Sequence, residues 1–266
     1  MKALLIAKNL SKQYIQTQGF FSRTRSIIHA LDDVSIIIKK GSTLAVVGES
    51  GCGKTTLAKS LIRLVEVDKG NIQFMGSEIL RVQSNQLKEI RKNIQMIFQD
   101  PYASLNPRMK IYQIMEEPLI IHKIGDKQIR RDKIYSMIER VGLSIVDLTK
   151  YPHQFSGGQR QRVGIARALI LEPQLVICDE PVSALDVSVQ AQIIQLLKNL
   201  QEEFKLTYLF ITHDLRVVRY IADEVIVMRH GKLIEQGKTD IIFKNPKSEY
   251  TKELLASIPG HISKRN

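Results

Sequence analysis

The sequence predicts an α/β fold with a mainly parallel sheet, helices on both faces of that sheet and a helical insertion. Short β-branched runs alternate with segments of helical periodicity, as they do in βαβ units. One such unit is explicit, because the apolar run Thr43–Val47 is followed by a glycine-rich turn and by helical spacing over residues 55–64. Over residues 102–155 helical periodicity continues without strand signals, which predicts the insertion.

The other elements continue this alternation on either side of the insertion. Strands are predicted at residues 4–7, 34–38, 71–74, 95–99, 175–178 and 207–211, and a hairpin at 224–228 and 233–236. Helices are predicted at residues 111–122, 127–141, 156–168, 187–203, 215–221 and 248–256. Residues 19–26 mix aromatic and basic side chains and are interpreted as a solvated loop, with lipid head groups or a partner as alternatives.

The turn between the first strand and helix carries the pattern G-x-x-x-x-G-K-[ST] in the context that the pattern requires. Glycines let backbone N–H groups approach phosphate oxygens, and the next helix directs further N–H groups at the same anion. We expect Lys54 to reach the β- and γ-phosphates and the Thr55 hydroxyl to ligate magnesium. The turn therefore predicts a nucleoside triphosphate site formed by Gly48, Glu49, Ser50, Gly51, Cys52, Gly53, Lys54, Thr55 and Thr56.

Two later strand ends carry candidate catalytic groups. Asp179 and Glu180 follow the apolar run 175–178, and His213 follows the run 207–211. Ligands of open α/β sheets gather at the carboxyl ends of the strands, so we expect these side chains to face the phosphates. Asp179 is the candidate magnesium ligand, and Glu180 is the candidate general base that polarises the attacking water.

A second glycine-rich turn opens the helix predicted at residues 156–168. Its N–H groups, the helix N-terminus and the Ser156 hydroxyl form a second candidate anion site. Spacing alone leaves two arrangements open: both turns close on one nucleotide within the chain, or each serves a nucleotide shared with a neighbouring chain. The residues of this turn are Phe155, Ser156, Gly157, Gly158 and Gln159.

Composition narrows the class of protein. The 266 residues suffice for one large α/β domain, and no apolar run approaches the roughly 18 residues of a membrane span, so we expect a cytoplasmic protein. The formal net charge of +12 suits a protein that binds nucleic acid or works at an anionic membrane surface.

Two cysteines predict neither a disulfide framework nor a metal cluster. Cys52 lies beside a helix N-terminus, which predicts a lowered thiol pKa and inhibition by alkylation, with protection by ATP.

Together these motifs resemble those of the ATP-binding cassette ATPases over nearly the whole chain. Residues 48–55 are similar to Walker A, 175–180 to Walker B, and 155–159 to the Leu-Ser-Gly-Gly-Gln signature, with Phe155 replacing the leucine. Residues 183–186 resemble the D-loop, which ends at Asp186. The resemblance further implies that Gln99 is the Q-loop glutamine and a magnesium ligand, that His213 is the switch histidine and that Tyr14 stacks on adenine.

The resemblance also implies an architecture and a dimer. The expected architecture is a P-loop NTPase core with an antiparallel β-subdomain and an inserted helical subdomain. Its expected divisions are residues 1–99 (β-subdomain and first part of the core), 100–158 (helical subdomain), 159–240 (second part of the core) and 241–266 (tail). Two cassettes are expected to face each other head to tail, so that the Ser156 turn and Asp186 act on the partner's nucleotide.

A narrower resemblance concerns the transported solute. Residues 98–108 and the tail stretch 245–251 are similar to the ATPases of oligopeptide, dipeptide and nickel importers, although Ser248-Glu249 replaces the usual His-Pro. This implies peptide import, with nickel or a cationic antimicrobial peptide as alternatives, and with ATP and Mg²⁺ but no iron–sulfur cluster. The implied partners are a second ATPase (self or paralogue), two transmembrane permease subunits and, indirectly, a periplasmic or extracellular solute-binding protein. The implied location is peripheral, on the cytoplasmic face of the cell membrane.

Two other functional classes are alternatives to a transport ATPase. The charge of +12 suits a cassette ATPase that acts on DNA or ribosomes, but such proteins generally carry two cassettes or long coiled-coil insertions, which this sequence lacks. We therefore expect no specific nucleic-acid partner. A small-molecule kinase with a phosphate loop would leave the Ser156 turn without a role.

Overall fold

The computed structural model describes residues 2–17 and 25–257. The chain forms two compact units, the first from residues 1–87 and 209–266 and the second from residues 88–208. The predicted division at residues 99, 158 and 240 stays a prediction. In the predicted loop at 19–26, residues 19–24 lie outside the described residues, whereas Arg25 and Ser26 begin a strand.

An antiparallel sheet in the first unit is built by strands that the sequence predicted only in part. It has the order β2-β1-β4-β5, where the strands are β1 (Ala3–Thr17), β2 (Arg25–Lys39), β4 (Lys69–Phe74) and β5 (Ser77–Glu78). The predicted runs 4–7 and 34–38 lie within β1 and β2, and each strand continues into an extension that carries exposed side chains such as Tyr14 and Ile28. Alternation fades in those extensions, so their sequence gave a weak strand signal.

A second sheet of the first unit positions the phosphate loop. Its order in this unit is β10-β9-β3-β8, from β3 (Thr43–Val47), β8 (Thr207–Ile211), β9 (Glu224–Arg229) and β10 (Lys232–Lys238). β3 lies parallel to β9, and β9 and β10 form the predicted antiparallel hairpin. Every residue of β3 is buried, as expected of a strand covered on both faces. The helices of this unit are α1 (Lys54–Leu61), α8 (Leu215–Ile221), α9 (Thr239–Lys244) and α10 (Glu249–Ala256).

The second unit combines two parallel strands with α-helices. The strands are β6 (Ile94–Ile97) and β7 (Leu175–Asp179), and the sheet continues from β7 to the start of β8. The helices are α3 (Pro101–Ser104), α4 (Ile111–Ile121), α5 (Lys127–Arg140), α6 (Gly157–Leu169) and α7 (Val187–Phe204). Two short 3₁₀ helices, Ile145–Thr149 and Pro152–Gln154, connect α5 to α6.

Three helices, α2, α3 and α9, were not predicted from the sequence. α2 (Ser84–Asn93) has no buried residue, so it carries no apolar stripe from which helical periodicity could be read. The predicted strand 95–99 is also shorter than expected, because β6 ends at Ile97 and Gln99 lies in the following loop. Among the described residues, no helix has both the length and the apolar character that crossing a bilayer demands.

Candidate nucleotide-binding site

The phosphate loop between β3 and α1 depends on glycines in left-handed backbone conformations. Gly48, Gly51 and Gly53 have φ angles of 150°, 79° and 107°. A Cβ at Gly53 would lie 2.1 Å from the carbonyl oxygen of Ala30, and one at Gly48 would lie 2.2 Å from that of Met228. Both distances are far inside van der Waals contact, so this backbone path excludes larger residues.

Lys54 begins α1 and is held against the backbone of its own loop. Its side chain is buried, and Nζ donates to the carbonyl oxygens of Gly48 and Glu49, at 2.8 Å each. Gly53 is the N-cap of α1 and offers no side-chain cap to the first N–H groups of the helix. An ammonium group and helix N–H groups in one short loop form a cationic site that suits phosphate oxygens.

Exposure divides the loop into a buried and an accessible part. Glu49, Ser50 and Gly51 are exposed, and Thr55 and Thr56 are half-buried at the start of α1. Gly48, Cys52 and Lys54 are buried. The backbone at the tip of the loop is therefore open to a ligand, while its two ends are fixed in the first unit.

The predicted lowering of the Cys52 thiol pKa was wrong, whereas inhibition by alkylation stays a prediction. Burial is the largest influence on this side chain and raises the pKa of the thiol, against the opposing effect of the Lys54 charge. Cys52 is only 5% exposed, and a reactive cysteine needs both a lowered pKa and access. Proximity to a helix N-terminus was correctly read from the sequence, but burial outweighs it.

Two contacts from distant parts of the first unit fix the ends of the loop. The Gly231 N–H, in the turn between β9 and β10, donates to the Cys52 carbonyl at 3.0 Å. The Glu49 N–H donates to the hydroxyl of Tyr250 in α10 at 3.2 Å. Sequence reasoning assigned neither residue to the site, and Tyr250 was noted only as part of the tail resemblance.

The first unit also holds Tyr14 and His213. Tyr14 lies in β1 with its ring 40% exposed and with Lys12 Nζ 5.6 Å from the ring centroid. His213 is exposed in the short connection between β8 and α8. The next residue, Asp214, caps α8 by accepting the Arg216 N–H at 2.8 Å, and the Arg216 guanidinium lowers the pKa of this carboxyl group. The cap fixes the backbone next to His213.

In the second unit, the end of β7 brings Glu180 and Gln99 together. Asp179 is the buried last residue of β7. Glu180 has a φ of 47°, a left-handed conformation that is uncommon for glutamate and often marks a functional site. Gln99 Nε2 donates to Glu180 Oε2 at 3.2 Å. This contact orients the carboxylate and leaves the amide oxygen of Gln99 as the atom suited to a cation.

The Ser156 turn is a self-capped helix N-terminus. Ser156 Oγ accepts the Gln159 N–H at 3.3 Å, and Gln159 Oε1 accepts the Ser156 N–H at 2.9 Å, which is a capping box. A Cβ at Gly158 would lie 2.5 Å from Val189 Cγ1, and one at Gly157 would lie 3.2 Å from Leu185 Cδ2. The glycines therefore let α6 approach the start of α7.

The flanks of this turn differ in exposure. Phe155 is buried, with Lys150 Nζ 5.7 Å from its ring centroid. Asp186 is exposed at the N-cap of α7 and makes no side-chain capping bond. The buried Phe155 side chain thus holds the start of the turn, and the exposed Asp186 carboxylate lies at the start of the next helix, α7.

Helix α6 also holds the stretch that follows Gln99. The Arg160 guanidinium lies 4.0 Å from the ring centroid of Tyr102, and Arg167 donates to the Ser104 carbonyl. Tyr102 itself is 52% exposed. Residues 98–108 are thus attached to the helix that begins at the Ser156 turn, which the sequence did not predict.

The donor set fits magnesium better than a softer metal. Thr55 offers a hydroxyl, Gln99 an amide oxygen and Asp179 a carboxylate, all hard oxygen donors. Within residues 2–17 and 25–257 no cluster of three or more His, Cys, Asp or Glu side chains could form a protein-only metal cage. Magnesium is commonly held by one or two protein oxygens together with substrate phosphates, so the residues present fit this ion.

Comparisons with known proteins agree with these features. A family model described as ABC transporter matches residues 31–183. The dipeptide transport ATP-binding protein DppF of Haemophilus influenzae is 52% identical over 257 residues, 96% of this chain and 78% of that protein. The oligopeptide transport ATP-binding protein AppF of Bacillus subtilis is 49% identical over 259 residues, 97% of this chain and 79% of that protein.

Solved structures confirm the predicted α/β class. A dimeric post-hydrolysis state of the ATP-binding cassette MJ0796, bound to ADP and Pi, matches with a TM-score of 0.77 and 31% identity over 88% of this chain and 98% of that one. CbiO1 of Clostridium perfringens, part of the transporter complex CbiONQ, matches with a TM-score of 0.78 and 27% identity over 97% of each chain.

Proposed function

This chain belongs to the ABC transporter family, and from that premise we propose that it hydrolyses ATP to energise import of dipeptides or oligopeptides. It is an ATPase that binds ATP with Mg²⁺. The observation that carries the catalytic part of the proposal is the phosphate loop, with left-handed glycines and the buried Lys54 ammonium. The peptide part is supported by relatives about 50% identical whose names specify dipeptide or oligopeptide transport.

The loop residues bind the triphosphate in this proposal. Backbone N–H groups from Ser50 to Thr56 and the Lys54 ammonium surround the phosphates, and Tyr14 stacks on the adenine. Thr55, Gln99 and Asp179 would hold Mg²⁺, which neutralises charge on the phosphates when bound. Glu49 and Cys52 contribute through the loop backbone, because the Cys52 side chain is buried and its pKa is raised by burial.

Glu180 is the proposed general base. Its carboxylate accepts a proton from the attacking water, and the Gln99 amide holds it by the bond at 3.2 Å. The left-handed backbone of Glu180 and the bond from Ser183 Oγ to its carbonyl, at 3.1 Å, set the direction of this side chain. His213 contacts the γ-phosphate in this proposal, from the loop that Asp214 caps.

The Ser156 turn acts on the nucleotide of a second cassette. Its capping box uses a lone pair of Ser156 Oγ and the side-chain amide oxygen Oε1 of Gln159, so the serine O–H and the Gly157 and Gly158 N–H groups remain suited to a phosphate. Phe155 anchors the turn, and Asp186 lies beside it at the start of α7. The dimer closes only when phosphates bridge the two anion sites, and hydrolysis removes this bridge.

The proposed assembly places this chain at the cytoplasmic face of the cell membrane. Its partners are a second ATPase subunit, either a copy or a paralogue, and two transmembrane permease subunits, with a solute-binding protein outside. Residues 98–108 connect Gln99 to α6 through the Tyr102 and Ser104 contacts, which supports this stretch as the route from the ATP site to a permease.

Two experiments test the proposal at its two levels. Glu180→Gln should keep ATP affinity, lose about 100-fold or more of turnover and trap an ATP-dependent dimer, measured by gel filtration. Near-normal hydrolysis in this variant would refute the role of Glu180.

In proteoliposomes that contain the co-purified permease subunits, ATP hydrolysis should rise with a binding protein loaded with dipeptide or oligopeptide. Stimulation by nickel alone would overturn the peptide assignment.

A further inference from the structure

We propose that Tyr250, in the C-terminal helix α10, is a positioning residue for the phosphate loop. Its hydroxyl accepts the Glu49 N–H at 3.2 Å, across 201 positions of sequence. Glu49 is the second residue of the loop, where the backbone leaves β3 and turns toward the nucleotide. The inference rests on the proposed ATP site and adds to it a residue that lies outside the nucleotide-binding motifs.

The Tyr250 side chain is fixed in the core of the first unit. It is 6% exposed and packs in a cluster of apolar side chains from β3, β9 and the helices α8 to α10, including Val47, Val227 and Leu255. The Arg229 guanidinium lies 4.5 Å from the ring centroid. A buried ring has little freedom, so its hydroxyl presents a fixed acceptor to the loop.

Helix α10 is itself anchored at its start. Glu235 on β10 is buried and accepts the Lys247 and Ser248 N–H groups at 2.9 and 3.0 Å. Its negative charge near the N-terminus of α10 also interacts favourably with the positive end of the helix dipole. The strand that follows the β9–β10 turn therefore determines where Tyr250 lies.

The two contacts at the loop ends define its shape. The Tyr250 hydroxyl holds the entry at Glu49, and the Gly231 N–H holds the carbonyl of Cys52 at 3.0 Å. The residues between these points, Ser50 and Gly51, are the exposed tip that offers N–H groups to phosphate. A loop fixed at both ends loses less conformational entropy on binding, which raises its affinity.

Burial raises the pKa of the Tyr250 hydroxyl, so the group is neutral across the physiological range. A neutral phenol oxygen accepts one N–H and places no negative charge next to the triphosphate. An acidic side chain at this position would repel the ligand, whereas phenylalanine would fill the same space without an acceptor.

The decisive variant is Tyr250→Phe, which removes only the hydroxyl, and with it the acceptor of the Glu49 N–H. We expect its dissociation constant for ATP to rise by about three- to tenfold and its KM for ATP to rise in parallel, with kcat at saturating ATP within about twofold. Amide hydrogen exchange at Glu49 should accelerate in the nucleotide-free protein, a readout that does not depend on ATP.

Tyr208→Phe is the matched control. Tyr208 is also buried, and its hydroxyl donates to the Leu197 carbonyl at 2.9 Å in the second unit. Both variants should lose similar stability to heat, but only Tyr250→Phe should weaken ATP binding. Equal ATP affinity in Tyr250→Phe and wild type, or equal weakening in both variants, would overturn the proposal. Failure of the wild-type chain to bind ATP would instead refute the proposed function.

Discussion

The chain contains two glycine-rich helix starts that look alike in sequence and are built differently. Before α1, three glycines adopt left-handed angles and create a backbone path that a Cβ would block. Before α6, Gly157 and Gly158 do not have positive φ angles, and a Cβ would meet only side chains of Leu185 and Val189. The first turn uses glycine for backbone conformation, and the second uses it for space.

The two turns also differ in how they treat their own N–H groups. No side chain caps α1, whereas a reciprocal capping box closes the start of α6. An uncapped helix start with a buried lysine is suited to hold a ligand within one chain. A capped and self-sufficient start is suited to meet a ligand that is already bound elsewhere.

Gly53→Ala should have the largest effect. A Cβ at φ 107° would be strained and would lie 2.1 Å from the Ala30 carbonyl oxygen, so the loop must move. We expect ATP affinity to fall by about 100-fold, measured by titration with a fluorescent nucleotide. Gly164→Ala in α6 is the control, because nothing lies within 4 Å of its Cβ position, and it should be neutral or slightly stabilising. An ATP affinity of Gly53→Ala equal to that of wild type would contradict the view that the first turn needs glycine for its backbone conformation.

Lys54→Ala should come next. It removes the charged donor and leaves the fold of α1 intact, so ATP affinity should fall by about 10- to 100-fold, measured by calorimetry. Lys59→Ala, in the last turn of the same helix, should leave the affinity within about twofold. Unchanged affinity in Lys54→Ala would show that the loop does not hold the phosphates.

Ser156→Ala should separate stability and turnover from binding. Loss of the N-cap should cost about 1 kcal/mol of unfolding free energy, and ATP affinity of the monomer should stay within about twofold. Turnover should fall by about tenfold, because the turn meets the partner's nucleotide. Ser144→Ala removes a comparable capping box before the 3₁₀ helix Ile145–Thr149 and should lose stability without this loss of turnover. If both variants kept full turnover, the Ser156 turn would have no role beyond its cap.

Glu235→Gln, outside both turns, should change stability with a defined pH dependence. Burial alone would raise the pKa of Glu235, but the Thr251 hydroxyl together with the Lys247 and Ser248 N–H groups outweighs it, and the pKa is lowered. Its stabilisation is therefore fully present above the ordinary carboxyl pKa and is lost as pH falls through the lowered value of the folded state. Glu235→Gln should cost about 1–2 kcal/mol at pH 7, and this difference should shrink below about pH 4 in urea unfolding. A difference that grew toward acid pH would contradict this assignment.

Much of the fold could be predicted from the sequence where local patterns are strong. The run Thr43–Val47 and the helix Leu215–Ile221 have the predicted bounds, because an apolar run between turn residues and a capped periodic segment leave little choice. α2 was missed because it has no buried residue, and the extensions of β1 and β2 because several of their side chains, such as Tyr14, Ile15 and Ile28, are exposed. The residues of the candidate site were predicted from spacing and from the family resemblance, but their contacts were not.

The sequence by itself determined the kind of protein: the glycine and lysine spacing, the acids after β7 and the Ser156 turn identify an ATP-binding cassette. These are local features, since each depends on a few consecutive residues and on the backbone angles that they permit. Tertiary structure decided the protonation and accessibility of Cys52, the Gln99–Glu180 contact and the support of the phosphate loop by Tyr250. Each of these depends on burial or on partners from another part of the chain, and sequence spacing carries no information about either.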